Sequence, residues 1–286
     1  MSGRVLLLLL LSAVLHAGWN LLLKRSAERF VFTWLAMAVS AALASPVLFL
    51  MDFRLSGPAA ICLLASAAAE AAYFMALSRA YAAGDLSIVY PLARGSAPLY
   101  ILAWSHWLLG ERLRGWGWLG LGLVVLGIFL ISARRPGEML RPLRALRPRA
   151  AGWALLAGFC TSVYSLADKL GVALVPPPVF ITLSFGLTAV VLTPFVLRRR
   201  GRAGVWSDVR RSGPAMVAGG LLVTAAYLMV LYAMTQADLS RVGAAREVSI
   251  VFGALAGWLL LKEGFGPLRT GAAALVFAGV FLISLR

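Results

Sequence analysis

Hydrophobic residues fall in ten long stretches, set apart by short polar or proline-marked breaks. They run roughly 4–23, 30–51, 58–81, 86–109, 115–133, 151–171, 177–197, 214–236, 239–261 and 268–285. About 20 apolar residues suffice to carry a helix across the hydrocarbon core of a bilayer, so each stretch predicts a membrane-spanning helix. Pro58, Pro176 to Pro178 and Pro214 stand at predicted helix starts, where a missing N–H costs little. Gly201 and Gly264 are placed in loops. One long basic loop, 134–149, separates the first five stretches from the last five, and a second basic loop runs from Arg198 to Arg211.

The two sets of five repeat one another. Ala71-Ala72-Tyr73-Phe74-Met75-Ala76-Leu77 returns as Ala225-Ala226-Tyr227-Leu228-Met229-Val230-Leu231. Asp85-Leu86-Ser87 returns as Asp238-Leu239-Ser240, Ala93-Arg94 as Ala245-Arg246, and Gly127 to Ser132 as Gly279 to Ser284. Order and spacing are kept, so one unit has been duplicated. A unit that crosses a bilayer five times returns in the opposite orientation. The predicted fold is all-α and integral to the membrane: ten helices as two inverted five-helix repeats, residues 1–133 and 150–286. Inverted repeats mark secondary transporters.

Composition agrees. Of the 286 residues 61% are hydrophobic and 13% charged, with a mean hydropathy of +0.88. A soluble domain carries about 25% charged residues. The net charge of +16 would suggest nucleic acid in a soluble protein. Here half of the arginines sit in two loops, where anchoring and topology account for them. The side holding both termini has 7 Lys and Arg, the opposite side 18, and Arg94 and Arg246 lie inside helices; 7 + 18 + 2 gives the 27 present. The positive-inside rule then places both termini outside the cytoplasm. The first twenty residues imitate a signal peptide, but the apolar run continues to Leu23 and its counterpart recurs near Tyr164, so they predict the first helix. Cys62 and Cys160 lie in apolar segments without metal-ligand spacing and read as packing residues.

Four motifs together are similar to the EamA family of the drug/metabolite transporter superfamily. They are Leu15-His16-Ala17-Gly18-Trp19-Asn20, Tyr90-Pro91-Leu92-Ala93-Arg94-Gly95, Leu109-Gly110-Glu111 and Leu261-Lys262-Glu263. The resemblance covers the whole chain. It implies a bundle around a central cavity, alternating access, and export of amino acids or other small metabolites, coupled to an ion gradient or running down the substrate gradient. It also implies cytoplasmic termini, against the charge count, which leaves the direction of transport open.

Charged groups in mid-membrane are costly unless paired or hydrated, so each marks a candidate site. Arg94 and Arg246 are repeat-related and suit a carboxylate or phosphonate, which a guanidinium fork binds bidentately; an acid could equally hold each for packing. Glu70, matched by Thr224 in the other repeat, is a candidate for a substrate ammonium, for a proton, or for an ion pair with either arginine. Glu247 follows Arg246 directly and must face elsewhere, across to helix three or four. His16 and Asn20 are one turn apart on one face. Trp19, Tyr90 and Tyr164 are candidate walls, Trp19 and Tyr164 equally readable as interfacial belt residues, and Tyr73 and Tyr227 sit in the repeated Ala-Ala-Tyr motif with hydroxyls that can reach a cavity. Asp168 and Lys169 read as an interfacial pair. Glu111 and Glu263 read as structural, compensated by Arg112 and Lys262.

No phosphate loop, metal motif or nucleophile elbow is present, so no cofactor is expected and the chain does not read as an enzyme. The expected function is secondary export of small polar metabolites such as amino acids, with a proton as a candidate coupling ion, by a monomer in a bacterial inner membrane. The rival readings are efflux of cationic drugs, a non-transporting membrane scaffold, and an intramembrane lipid enzyme.

Overall fold

A computed structural model describes residues 1–84, 86–113, 115–132, 148–261 and 267–285. Apart from short turns these residues are helical: α1 Gly3–Arg25, α2 Arg29–Ala44, α3 Val47–Leu50, α4 Gly57–Ala83, α5 Leu86–Leu108, α6 Trp116–Ser132, α7 Pro148–Gly171, α8 Pro177–Gln236, α9 Leu239–Arg246, α10 Val248–Leu261 and α11 Pro267–Ser284. Helices satisfy every internal backbone group within the segment, which a lipid solvent demands. Among the described residues five segments, Gly3–Arg25, Arg29–Leu50, Gly57–Ala83, Pro148–Gly171 and Pro177–Gln236, are long and apolar enough to cross a membrane. The loop 134–149 falls almost wholly outside the described residues.

The surface departs from the soluble pattern, and polar groups stand among the apolar residues of the core. Phe49 is 88% exposed and Leu50 80%, and Leu7, Ile61, Leu64, Val190 and Phe281 also face outward. Ser12, Ser66, Thr161, Ser162, Ser165, Asp168, Thr188 and Glu247 are buried. So large an apolar surface is stable only where the outer solvent is lipid.

The second basic loop is a correction. Residues 202–213 are helical and continue into the following span as part of α8. The break is confined to Gly201, whose φ of 67° and ψ of 165° turn the chain, a region open mainly to glycine. Across that turn Arg200 donates to Asp208 through Nε at 3.0 Å and Nη2 at 2.9 Å. This fork-to-carboxylate pairing fastens a segment that reads as a loop from its charge alone.

Packing brings distant helices together. α4 lies along α7, α5 along α7, α1 along α8 and α10, α2 along both arms of α8, and α6 along α11. Small residues make the close crossings. A Cβ on Gly120 of α6 would sit 2.5 Å from the Gly279 carbonyl oxygen of α11, and a Cβ on Gly279 2.5 Å from the Gly120 carbonyl oxygen. The two backbones therefore touch reciprocally.

Candidate functional site

α1, α5, α8, α9 and α10 converge on a central cavity of about 10 Å³, room for about one water-sized sphere. Its polar lining is Ser12 and His16 of α1, Arg94 of α5, Tyr227 of α8, Arg246 of α9 and Ser249 of α10. Local packing sets these positions. Ser12 Oγ donates to the Ala226 carbonyl at 2.7 Å and holds α1 against the tyrosine-bearing arm of α8. On α7, a Cβ at Gly158 would meet Ser96 Oγ at 2.1 Å and the Ala93 carbonyl oxygen at 2.8 Å. Only glycine lets α5 approach so closely, and Arg94 is the residue beside that contact. α9 ends at Arg246, and Glu247 forms the turn to α10 with its N–H bonded to the Ala244 and Ala245 carbonyls.

The two repeat-related arginines differ in their company. Arg94 Nε lies 3.3 Å from Glu247 Oε2, and these side chains are 14% and 5% exposed. Arg94 Nη2 also donates to Ser249 Oγ at 3.2 Å. Glu247 thus reaches across to α5 and offsets the first arginine. The reciprocal pairing would need an acid at the repeat position of Glu247 in the first half, and that position is Gly95. Among the described residues Arg246 has no carboxylate within ion-pair distance; its guanidinium lies 5.1 Å from the centre of the Tyr227 ring. A desolvated cation over an aromatic face gains about 2 kcal/mol, and the acids that act on it, Glu247, Glu70 and Asp168, do so from beyond ion-pair distance. Arg246 is the cation that faces the cavity with capacity to spare.

Glu70 is not paired with either arginine. It accepts from Thr188 Oγ1 at 2.8 Å. Asp168 is a second correction: it is 1% exposed, accepts from Ser66 Oγ at 2.5 Å and from the Tyr227 hydroxyl, and makes no pair with Lys169. Successive helical residues point about 100° apart, and Lys169 uses that separation to donate to the Met234 and Ala237 carbonyls at 2.6 and 2.9 Å. Asp168 is the residue that sequence reasoning missed. In the register that matches Trp19 with Tyr164, its counterpart is Leu23; an acid without a repeat partner was the available signal, as it was for Glu70.

The remaining candidates divide. His16 lines the cavity. Asn20 turns its amide onto the His16 carbonyl of its own helix at 2.8 Å. Trp19 is buried and packs on Phe32 and His16 with ring centres 6.3 and 6.2 Å apart, inside the bundle rather than at an interface. Tyr73, Tyr164 and Tyr227 form a row of edge-on rings spaced 6.2 and 6.5 Å. The side chain of Tyr90 lies outside the described residues.

Glu111 is compensated differently from the expectation. Its carboxylate accepts from the Leu239 N–H at 2.7 Å, the Ser240 N–H at 2.9 Å and Ser240 Oγ at 2.9 Å. It caps α9 of the other half, where free amides and the helix dipole favour an anion, and Arg112 is not needed. Glu263 and Lys262 lie outside the described residues.

Known proteins match at two levels. The model of the EamA-like transporter family matches residues 3–133 and again 148–285. The spermidine export protein MdtI of Salmonella arizonae is 37% identical over 101 residues, 35% of this chain and 89% of that protein. MdtI of Shigella flexneri is 42% identical over 69 residues, 24% of this chain and 63% of that protein. A crystal structure described only as that of a protein superposes with a TM-score of 0.76 over 99% of this chain and 97% of that one. At 17% identity it shows the fold alone. Matched twice by the family model along nearly all its length, this chain belongs to the EamA-like transporter family and is a multi-pass membrane transporter, not an enzyme.

Proposed function

We propose that the chain is a ten-span secondary transporter built from two inverted five-helix repeats, residues 1–133 and 150–286, joined by the basic linker 134–149. The helix pairings support the inversion. The third helix of each half (α4, and the arm of α8 at 202–236) lies on the first helix of the other (α7, α1), the fourth helices repeat that reciprocity, and the fifth helices α6 and α11 pair with one another. A twofold axis in the membrane plane produces that pattern. The surplus of Lys and Arg opposite the termini favours termini outside the cytoplasm of a bacterial inner membrane. Internal duplication supports a monomer.

The substrate is a small acid or zwitterion such as an amino acid, and the direction is export. The observation that carries this reading is Arg246, a cavity-facing guanidinium with no carboxylate within ion-pair distance among the described residues, beside an Arg94 already offset by Glu247. The charged groups of the lining itself are both arginines, Arg94 and Arg246, and such a lining attracts a carboxylate and repels a polyamine. A cavity of about 10 Å³ cannot hold a metabolite, so substrate enters only when the halves rock apart, as alternating access requires.

A second reading has its own support. The MdtI relatives are spermidine exporters by name, and Glu70 and Asp168 contact hydroxyls rather than cations. On that reading the carboxylates take substrate ammonium groups. Counterflow in proteoliposomes separates the two, using labelled amino acids, organic acids, phosphonates, polyamines and quaternary amines. The acid reading expects accumulation of an acid or zwitterion that is lost in Arg246→Ala. Polyamine uptake that survives Arg246→Ala and is lost in Glu70→Gln would transfer the site to the carboxylates. No flux of any of these from folded protein would count against both.

A further inference from the structure

Asp168 lies outside the substrate reading, yet it is connected to it. It sits where α4, α7 and α8 meet, 1% exposed, and it holds two donors. Ser66 Oγ donates at 2.5 Å and is itself 3.1 Å from Ser184 Oγ. Tyr227 donates its hydroxyl on the other side. Both donors are neutral. Among the described residues no Lys, Arg or His lies within ion-pair distance of the carboxylate. Lys169, its neighbour in sequence, is committed to two backbone carbonyls. A carboxylate charge shut inside a membrane bundle needs a counter-charge, and hydroxyl dipoles with an Arg246 beyond ion-pair distance supply only part of one. A proton is the smallest group that supplies the rest.

The second half of the argument is Tyr227. Its hydroxyl is bonded to Asp168 while its ring carries the Arg246 guanidinium at 5.1 Å. One side chain therefore touches the buried acid with its tip and the cavity cation with its face. We propose that Asp168 is the proton-binding site of the transport cycle, and that Tyr227 links its protonation to occupancy of Arg246. The link to substrate rests on Arg246 holding the substrate anion.

The step balances simply. A proton from the aqueous phase forms an O–H bond on one Asp168 oxygen, and nothing is oxidised or reduced. A neutral carboxylic acid is a weaker acceptor than a carboxylate, so Tyr227 keeps its own proton but loosens its hold. The ring that braces Arg246 is then free to move, and the region becomes more positive by one charge. Both effects favour an anion at Arg246. Linkage is reciprocal: an anion at Arg246 favours a proton at Asp168. The charged and titratable groups near enough to act on Asp168 are, among the described residues, Cys62 and Glu70 of α4, Tyr227 of α8 and Arg246 of α9. Of these Arg246 is the only cation, and its neutralisation by substrate is the change that Asp168 would feel most.

The test needs no substrate. Infrared spectra of the whole protein in lipid nanodiscs, recorded across pH, report a protonated carboxyl through its carbonyl stretch. The expected result is a titrating band that is absent in Asp168→Asn and present in Glu70→Gln. Arg246→Gln removes the cation as a bound anion would offset it, and the band should then persist to higher pH by about one unit, the size expected of a neighbouring charge. Tyr227→Phe should also move the band, and its shift should not add to that of Arg246→Gln. A band that remains in Asp168→Asn, or one that neither Arg246→Gln nor Tyr227→Phe moves, overturns the proposal. If Asp168→Asn does not fold, the other two variants decide the matter. Because no transport is measured, failure here is separate from failure of the substrate reading, which the counterflow panel alone decides.

Discussion

Replacing Arg94 and replacing Arg246 should have opposite signatures, although the two are repeat partners. Arg94→Met leaves Glu247, 5% exposed, 3.3 Å from a position that no longer holds a charge. Stranding a buried charge by removing its partner costs about 3–5 kcal/mol, or a factor of about 10² to 10⁴ in the folding equilibrium. Glu247→Leu takes the Glu247 carboxylate from Arg94, which keeps its bond to Ser249, and should cost a similar amount. The double variant Arg94→Met/Glu247→Leu strands nothing, and buried pairs exchanged for apolar residues are often neutral. It should fall within about 1 kcal/mol of the parent, so the cycle yields a coupling of about 3 kcal/mol or more. Arg246→Met removes a stacking contact worth about 2 kcal/mol but also an unmatched charge, and the two largely offset. The assay is reversible unfolding in mixed micelles followed by the fluorescence of the nine tryptophans. Equal losses for Arg94→Met and Arg246→Met would refute the reasoning, as would a double variant no better than the sum of its parts.

Other outcomes follow from individual contacts. Glu111→Ala removes an acceptor shared by three donors of α9; it should cost about 2 kcal/mol and speed hydrogen exchange at the Leu239 and Ser240 amides, and unchanged exchange would count against the cap. Gly120→Ala should abolish folded protein on size exclusion, because its Cβ meets a backbone oxygen at 2.5 Å, while Gly122→Ala on the same helix meets nothing within 4 Å and should leave yield unchanged; equal behaviour would disprove the close crossing. Lys169→Met should lose about 2 kcal/mol by freeing the Met234 and Ala237 carbonyls. The same substitution should leave the infrared band assigned to Asp168 in place, which a Lys169–Asp168 pair would not allow.

What the sequence made legible is the part set by local composition. Apolar length locates the helices, and the repeated Ala-Arg dipeptide brings Arg94 and Arg246 to one cavity because repeat register survives folding. The interactions that sequence reasoning missed join residues far apart in the chain. Asp168 meets Ser66 across 102 positions and Glu111 meets Leu239 across 128, and no window on either side contains the partner. Charge density also misled at 198–211, where the Arg200–Asp208 fork keeps a basic segment helical. The departures from symmetry were the more useful guide. Gly95 opposite Glu247 leaves one arginine unmatched, and acids at 70 and 168 have no counterparts in the other half.

The reciprocal contact of Gly120 and Gly279 bears on how the protein is made. The glycine face of α6 finds its partner only after a further 159 residues have been synthesised. Until then α6 waits in the bilayer with lipid against a surface shaped for another backbone. Membrane helices insert first and associate afterwards, so docking of α11 is a late assembly step that closes both halves at once. A quality-control protease that samples unassembled helices has a long opportunity at α6, and substitutions at this crossing should lower cellular abundance before they alter transport.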